Sequence, residues 1–159
     1  MRLGALPRLV VCVALCLGIG GLGALVTTPE ISTWYAGLVK PQWTPPNWMF
    51  PVVWNILYLM MAVSLWLLWQ ADAKMPDRRR AITLFLVQLA LNAAWSPVFF
   101  ALHRTQAALA IIVLLGIAVA ATIITSWRVD RRAAALLIPY LAWIAYAATL
   151  NGGIVVFNP

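Results

Sequence analysis

The sequence predicts an all-α membrane protein: a bundle of five transmembrane helices with a Trp/Pro-rich loop between helices 1 and 2. Of its 159 residues, 64% are hydrophobic and 9% are charged, whereas a soluble domain carries about 25% charged residues. So apolar a chain is solvated by lipid. Five apolar stretches, at about 9–27, 47–71, 81–102, 105–127 and 133–157, each approach the roughly 20 residues that span a bilayer. None contains Asp, Glu or Lys. Backbone amides in hydrocarbon must pair within their own segment, so each stretch is a helix. The chain is expected to form one domain over residues 1–159.

The first stretch follows Arg2 and Arg8. It reads as a span rather than a cleaved signal peptide, because it is long and no A-x-A site follows it. Cys12 and Cys16 stand one turn apart on one helix face, at the limit of disulfide reach, and read as packing residues. Ala14, Gly18, Gly20, Gly21, Gly23 and Ala24 allow close helix approach. The fourth stretch offers the same chemistry at Ala107, Ala108, Ala110, Gly116, Ala118, Ala120 and Ala121. Such surfaces serve the bundle itself or a dimer.

A connection of about twenty residues leads to the second stretch. Its end, "KPQWTPPNWMFPVVW" at 40–54, holds three Trp and four Pro. Trp34, Tyr35, Trp43, Trp48 and Phe50 suit the aromatic belt of a membrane–water boundary. A belt does not account for Pro41, Pro45, Pro46 and Pro51. Pro45 and Pro46 stop any helix, Asn47 is placed to cap the next one, and Pro51 falls in its tolerant first turn. The result is a stiff lid over the bundle mouth. A preorganised wall loses less entropy when a ligand binds.

Three helices carry an aromatic and polar stripe at helical spacing. The second has Trp54, Tyr58 and Met61. The third has Gln88, Asn92, Trp95 and Phe99, with Ser96 adjacent. The fifth has Tyr140, Trp143, Ala147 and Asn151. Buried amides in hydrocarbon need partners, so Gln88 and Asn92 are expected to face inward. Alone they read as helix-to-helix glue. Together the stripes point to an internal pocket for a large, flat, mostly apolar molecule. Pro97 and Pro139 are expected to leave carbonyls near residues 93 and 135 unpaired and to kink the pocket walls.

Eleven Lys and Arg against four acids give a formal net charge of +7. The basic residues lie between the spans, which indicates topology rather than nucleic-acid binding. One side receives Arg2, Arg8, Lys74, Arg78, Arg79, Arg80, Arg128, Arg131 and Arg132; the other receives Lys40 and Arg104. For insertion into a bacterial inner membrane this predicts a cytoplasmic N-terminus. Lys40 and Arg104 then share a side on which they can meet a ligand's carboxylates. The spans lack the intramembrane carboxylate or Lys of an ion-coupled transporter. His103, the only histidine, reads as a boundary residue rather than a haem ligand. No metal cluster, phosphate loop or nucleophile–base pair is visible, so no metal or required cofactor is expected.

"WYAGLVKPQWTPPNWMFPVVWNILY", "QLALNAAWSPVFF" and "PYLAWIAYAATLN" resemble the TspO/MBR family of tryptophan-rich sensory proteins and translocator proteins, the latter also called peripheral-type benzodiazepine receptors. The resemblance implies a five-helix bundle, commonly a homodimer, that binds protoporphyrin IX and related tetrapyrroles and, in relatives, cholesterol and synthetic isoquinoline and benzodiazepine ligands. It also implies light- and oxygen-dependent porphyrin breakdown in some bacterial members, dependent on two tryptophans that match Trp54 and Trp143. Ala147 matches a small residue that shapes the pocket in relatives. A sensor, scavenger or regulator of porphyrin and oxidative stress, a porphyrin-degrading catalyst and a transporter of lipophilic molecules are the roles this leaves open. The expected ligand contacts are Trp34, Lys40, Trp43, Trp48 and Phe50 of the loop region, and Trp54, Tyr58, Gln88, Asn92, Trp95, Phe99, Tyr140, Trp143 and Ala147 of the helical stripes. Animal members end helix 5 with a cholesterol-recognition stretch, an aromatic followed by Arg. Here "ATLNGGIVVFNP" has no Lys or Arg, which puts that mode of sterol binding in doubt.

Overall fold

The computed structural model describes residues 4–159. The elements are α1 (Ala5–Ile31), a 3₁₀ turn (Tyr35–Gly37), α2 (Met49–Gln70), α3 (Pro76–Ser96) continued by a π turn (Pro97–Ala101), α4 (Thr105–Trp127), α5 (Arg131–Leu136) and α6 (Ile138–Phe157). Among the described residues there are five helical segments long and apolar enough to cross a membrane, the fifth being α5 and α6 together. The protein is an integral multi-pass membrane protein. Arg2 lies outside the described residues.

The helical ends extend past the apolar stretches because helix termini tolerate polar residues. Thus α3 begins at Pro76 rather than near 81. Proline suits the first helical position, where its missing N–H has no partner to lose, and Asp77 sits in the positive first turn. The basic run Arg78–Arg80 therefore belongs to the helix. At the other end of the chain, α5 is capped by Asp130, whose carboxylate accepts from the backbone N–H of Arg132 and Ala133. The Arg132 guanidinium beside it and these amides hold the Asp130 carboxyl below its ordinary value.

Both wall prolines change the helix, each in its own way. At Pro97 the chain widens into a π turn, with Leu102 N–H donating to Pro97 O at 2.9 Å. The extra residue in the turn brings both Phe99 and Phe100 to the interior. Before Pro139 the fifth span breaks at Leu137, whose N–H is shared between Ala134 O and Ala135 O, so the carbonyl expected to be unpaired near 135 has a partner. The expected Asn47 cap does not form. The residue flanking α2 is Trp48, and no side chain caps the helix. Asn47 instead lies at the cavity described below.

In the bundle α4 packs against α3 and α6, α1 against α2 and the end of α3, and α2 against α5. The half near the N-terminus of α1 is closed by Cys12, Met61, Leu68, Ala81, Phe85, Val119 and Ala133, all fully buried. The Ser64 hydroxyl there donates to Ala133 O at 2.8 Å, tying α2 to α5. Cys12 and Cys16 are free thiols in this core.

Candidate functional site

The other half of the bundle encloses a cavity of about 380 Å³, within the size range of small-molecule sites. Every spanning helix contributes to it. From α1 come Gly20, Gly21, Gly23 and Ala24; from α2 Phe50, Trp54, Asn55 and Tyr58; from α3 and the π turn Asn92, Trp95, Ser96 and Phe99; from α4 Ile112 and Leu115; from α6 Trp143, Ala147 and Asn151. Tyr35 and Asn47 close it from the connection. Glycine is required at one of these positions. A Cβ at Gly20 would sit 2.6 Å from a Tyr58 ring carbon.

The rings form a continuous wall. Trp54 stacks on Tyr58 at 5.5 Å between centroids, Trp95 on Phe99 at 4.9 Å, and Phe50 meets Trp143 edge-on at 6.0 Å. Polar groups are few and mostly paired. Tyr58 OH donates to Asn92 Oδ1 at 2.6 Å, and Asn92 Nδ2 donates to Tyr140 OH at 3.0 Å. Trp95 Nε1 donates to Asn151 Oδ1 at 3.2 Å, and Asn151 Nδ2 donates to Thr105 O at 2.9 Å. These bonds lock the wall side chains in place. Trp143 Nε1 is the contrast: it is buried and has no partner among the described residues.

The predicted stripes converge, with exceptions. Phe50, Trp54, Tyr58, Asn92, Trp95, Phe99, Trp143 and Ala147 line the cavity. Met61 is a fully buried core residue one turn too deep. Tyr140 is also fully buried; it lies behind the wall, edge-on to Trp54 at 6.2 Å. Gln88 is 1% exposed, and neither of its amide atoms has a partner among the described residues. It is buried in α3 one turn from Asn92 and does not line the cavity, so neither the pocket nor the glue reading holds for it.

The tryptophans of the connection are not cavity residues either. Trp48 is 66% exposed and Trp43 52%, as a membrane-boundary belt requires. Trp34 stacks on the His103 ring at 4.1 Å and meets Phe99 edge-on. The Lys40 ammonium is held by Ala36 O and Leu38 O and lies 4.6 Å from the Tyr35 ring centroid. It is spent on the loop's own geometry and not aimed into the cavity. Burial pushes the Tyr35 hydroxyl up from its ordinary value.

The connection does behave as a strap across one flank. Tyr146 OH donates to Trp43 O at 2.6 Å, Trp43 Nε1 donates to Thr149 Oγ1 at 3.2 Å, and Asn158 pairs with both Val39 N–H and Val39 O. Pro41 is buried against Gly153, where any Cβ would collide with its ring. Sequence reasoning missed Asn151 as the partner of Trp95, and it missed Asn158 and Gly153 as strap anchors. The signal for Gly153 was present as a Gly pair inside an apolar helix. The aliphatic cavity residues Ile112, Leu115, Leu150 and Ile154 carry no signal that separates them from lipid-facing ones.

Among the described residues no group of His, Cys, Asp and Glu gathers as a metal site. The cavity wall holds no carboxylate and no cation. Its chemistry is therefore ring contact, burial and a few N–H and O–H groups.

Residues 12–157 match the TspO/MBR family. The chain is 40% identical over 151 residues to "Tryptophan-rich protein TspO" of Chlorobaculum tepidum, covering 95% of this chain and 96% of that one. It is 35% identical to "Protein CrtK" of Rhodobacter capsulatus, covering 91% and 88%. Against "Translocator protein" of Homo sapiens it is 42% identical over 119 residues, covering 74% and 70%.

Proposed function

The chain belongs to the TspO/MBR family, and we propose that it binds a tetrapyrrole, protoporphyrin IX or a close relative, as a sensor or scavenger of porphyrin and oxidative stress. The observation that carries this reading is the cavity's wall. Flat rings from α2, α3 and α6 surround an apolar space lined by no charged side chain. A planar π-system with few polar edges is the ligand class such a wall accommodates best. The protein contains nine tryptophans, so quenching of their fluorescence reports porphyrin titration. Saturable quenching, weakened in Trp54→Ala and Trp143→Ala, is the expected result. Quenching that never saturates, or that is identical in both variants, overturns the reading.

A second reading is favoured by one further observation: Trp54 and Trp143 both face the same cavity. An excited porphyrin takes one electron from either indole in contact with it and passes it to dioxygen; the indole radical cation recovers an electron from the macrocycle, and the macrocycle radical cation combines with the superoxide, so dioxygen is the oxidant consumed and the indole is restored. The expected result is loss of bound-porphyrin absorbance under light, slowed in Trp54→Phe and Trp143→Phe. Bleaching equal to that of free porphyrin in detergent sinks this reading. Transport of lipophilic ligands is tested by uptake into proteoliposomes. The family also supports a homodimer, tested by mass measurement in detergent. The charge asymmetry supports a cytoplasmic N-terminus in an inner membrane, tested by labelling a single introduced cysteine from either side.

A further inference from the structure

A second concavity lies at the opposite end of the bundle from the aromatic cavity. It is a cleft of about 580 Å³ between the first turns of α1, the C-terminus of α2 and the α2–α3 connection. Arg8, Trp69, Gln70, Asp72, Lys74 and Arg78 line it. We propose that this cleft is a binding site for a phosphate-bearing anion, held by Arg8 and Arg78 with Lys74 at its rim.

The two arginines are positioned before any ligand arrives. Arg8 Nη1 donates to Gln70 Oε1 at 3.0 Å and to Trp69 O at 3.4 Å, and its guanidinium lies 5.6 Å from the Trp69 ring centroid. Arg78 Nε donates to Leu68 O at 3.1 Å and Arg78 Nη2 to Trp69 O at 2.9 Å. The plain role of these bonds is to satisfy the last carbonyls of α2, the negative end of that helix. That role does not exhaust the donors. Arg8 Nη2, Arg78 Nη1 and the Lys74 ammonium make no hydrogen bond among the described residues, and a phosphate oxygen is the acceptor a guanidinium fork fits best.

Charge and depth point the same way. Among the described residues the only carboxylate lining the cleft is Asp72, whose Oδ1 accepts from the Lys74 backbone N–H at 2.9 Å. Three cations against one carboxylate leave the cleft positive. Trp66, whose Nε1 donates to Ala5 O at 2.9 Å, Trp69 and the exposed Trp127 ring this end of the bundle. Tryptophans at this level mark the membrane interface, where lipid phosphates lie and where basic pockets between helices capture anionic headgroups. An anionic phospholipid and a soluble phosphate share the chemistry, and experiment separates them.

The full chain in neutral detergent is titrated in separate arms with phosphatidylglycerol, phosphatidylcholine and inorganic phosphate, and the thermal midpoint is followed. A saturable rise with phosphatidylglycerol alone assigns the site to a lipid headgroup; a rise with inorganic phosphate as well assigns it to phosphate in general. Loss of the charged donor in Arg8→Gln is expected to weaken the response about tenfold, the equivalent of one charge-assisted bond. Lys74→Gln, which removes no helix-end contact, is expected to weaken it less. Equal responses to phosphatidylglycerol and phosphatidylcholine, or a response unchanged in both variants, overturns the proposal. Porphyrin quenching serves as the fold control and is expected to stay at the wild-type level in both.

Discussion

The two halves of this bundle present the same face to lipid and opposite interiors. In the half around Phe85, small and aliphatic side chains interlock: Ala62, Ala81 and Ala133 sit against Leu68, Met61 and Val119, all at 0% exposure. In the half around Trp54, Gly20 on α1 faces the Tyr58 ring, and rings of α2 and α6 meet beside a space they do not fill. Lipid tails are as apolar as leucine, so apolarity alone does not close a membrane core; packing shape does. Rings held apart by the Tyr58–Asn92–Tyr140 bonds leave a cavity where flexible aliphatic chains would collapse into it.

The sharpest way to break the comparison is a large-to-small change in each half. Phe85→Ala in the closed half is expected to destabilise the protein by about 3–5 kcal/mol, read as a lowered thermal midpoint in detergent. Trp54→Ala enlarges a space that already exists, so its midpoint is expected to fall by less than half as much while porphyrin quenching weakens. Equal losses would mean that the open half is as tightly packed as the closed one.

Next in size is the polar brace. Tyr140→Phe leaves Asn92 Nδ2 buried without its acceptor, a loss of about 1–3 kcal/mol. A change of similar size is expected for Gly153→Ala, because the new Cβ must push Pro41 and the strap away from α6, at about 1–3 kcal/mol for overpacking. The two differ in their ligand signature. Displacing the strap is expected to speed porphyrin release in stopped-flow quenching, whereas Tyr140→Phe is expected to weaken affinity with little change in the strap's protection from protease.

The smallest expected effect lies outside both halves. Asp130 caps α5, and Asp130→Ala is expected to cost about 1 kcal/mol. Its folded-state carboxyl sits below the ordinary carboxylate value. The stabilisation it provides is therefore complete above that ordinary value and is lost as pH falls through the lowered folded-state value. Wild type is expected to lose its margin over Asp130→Ala across that acidic window, measured as converging thermal midpoints.

Much of the cavity was legible because its residues are conspicuous in hydrocarbon. Trp54, Asn92, Trp95 and Trp143 stand out against aliphatic neighbours, and helical spacing sets their faces. Gln88 shows where that logic stops. It is as polar as Asn92 and on the same stripe, yet it lies deeper than the cavity, and position along the bundle axis is not encoded in periodicity. Lys40 and Trp43 show a second limit. Their loop is long enough to fold back many ways: Lys40 is held within it, against Tyr35, while the bonds of Trp43 to Thr149 and Tyr146 come from a distant part of the chain.

The sequence by itself determined that the chain crosses the membrane five times as helices, which ends are basic, and which helices carry rings. Each follows from local quantities: apolar length, charge between spans, and a 3.6-residue period. Tertiary structure alone decided which half stays open, that the π turn after Pro97 brings Phe99 and Phe100 inward together, and that Arg8 meets Arg78 at the end of α2. These depend on the relative depth and rotation of helices, which are set by side chains meeting across the bundle and leave no trace in any one segment.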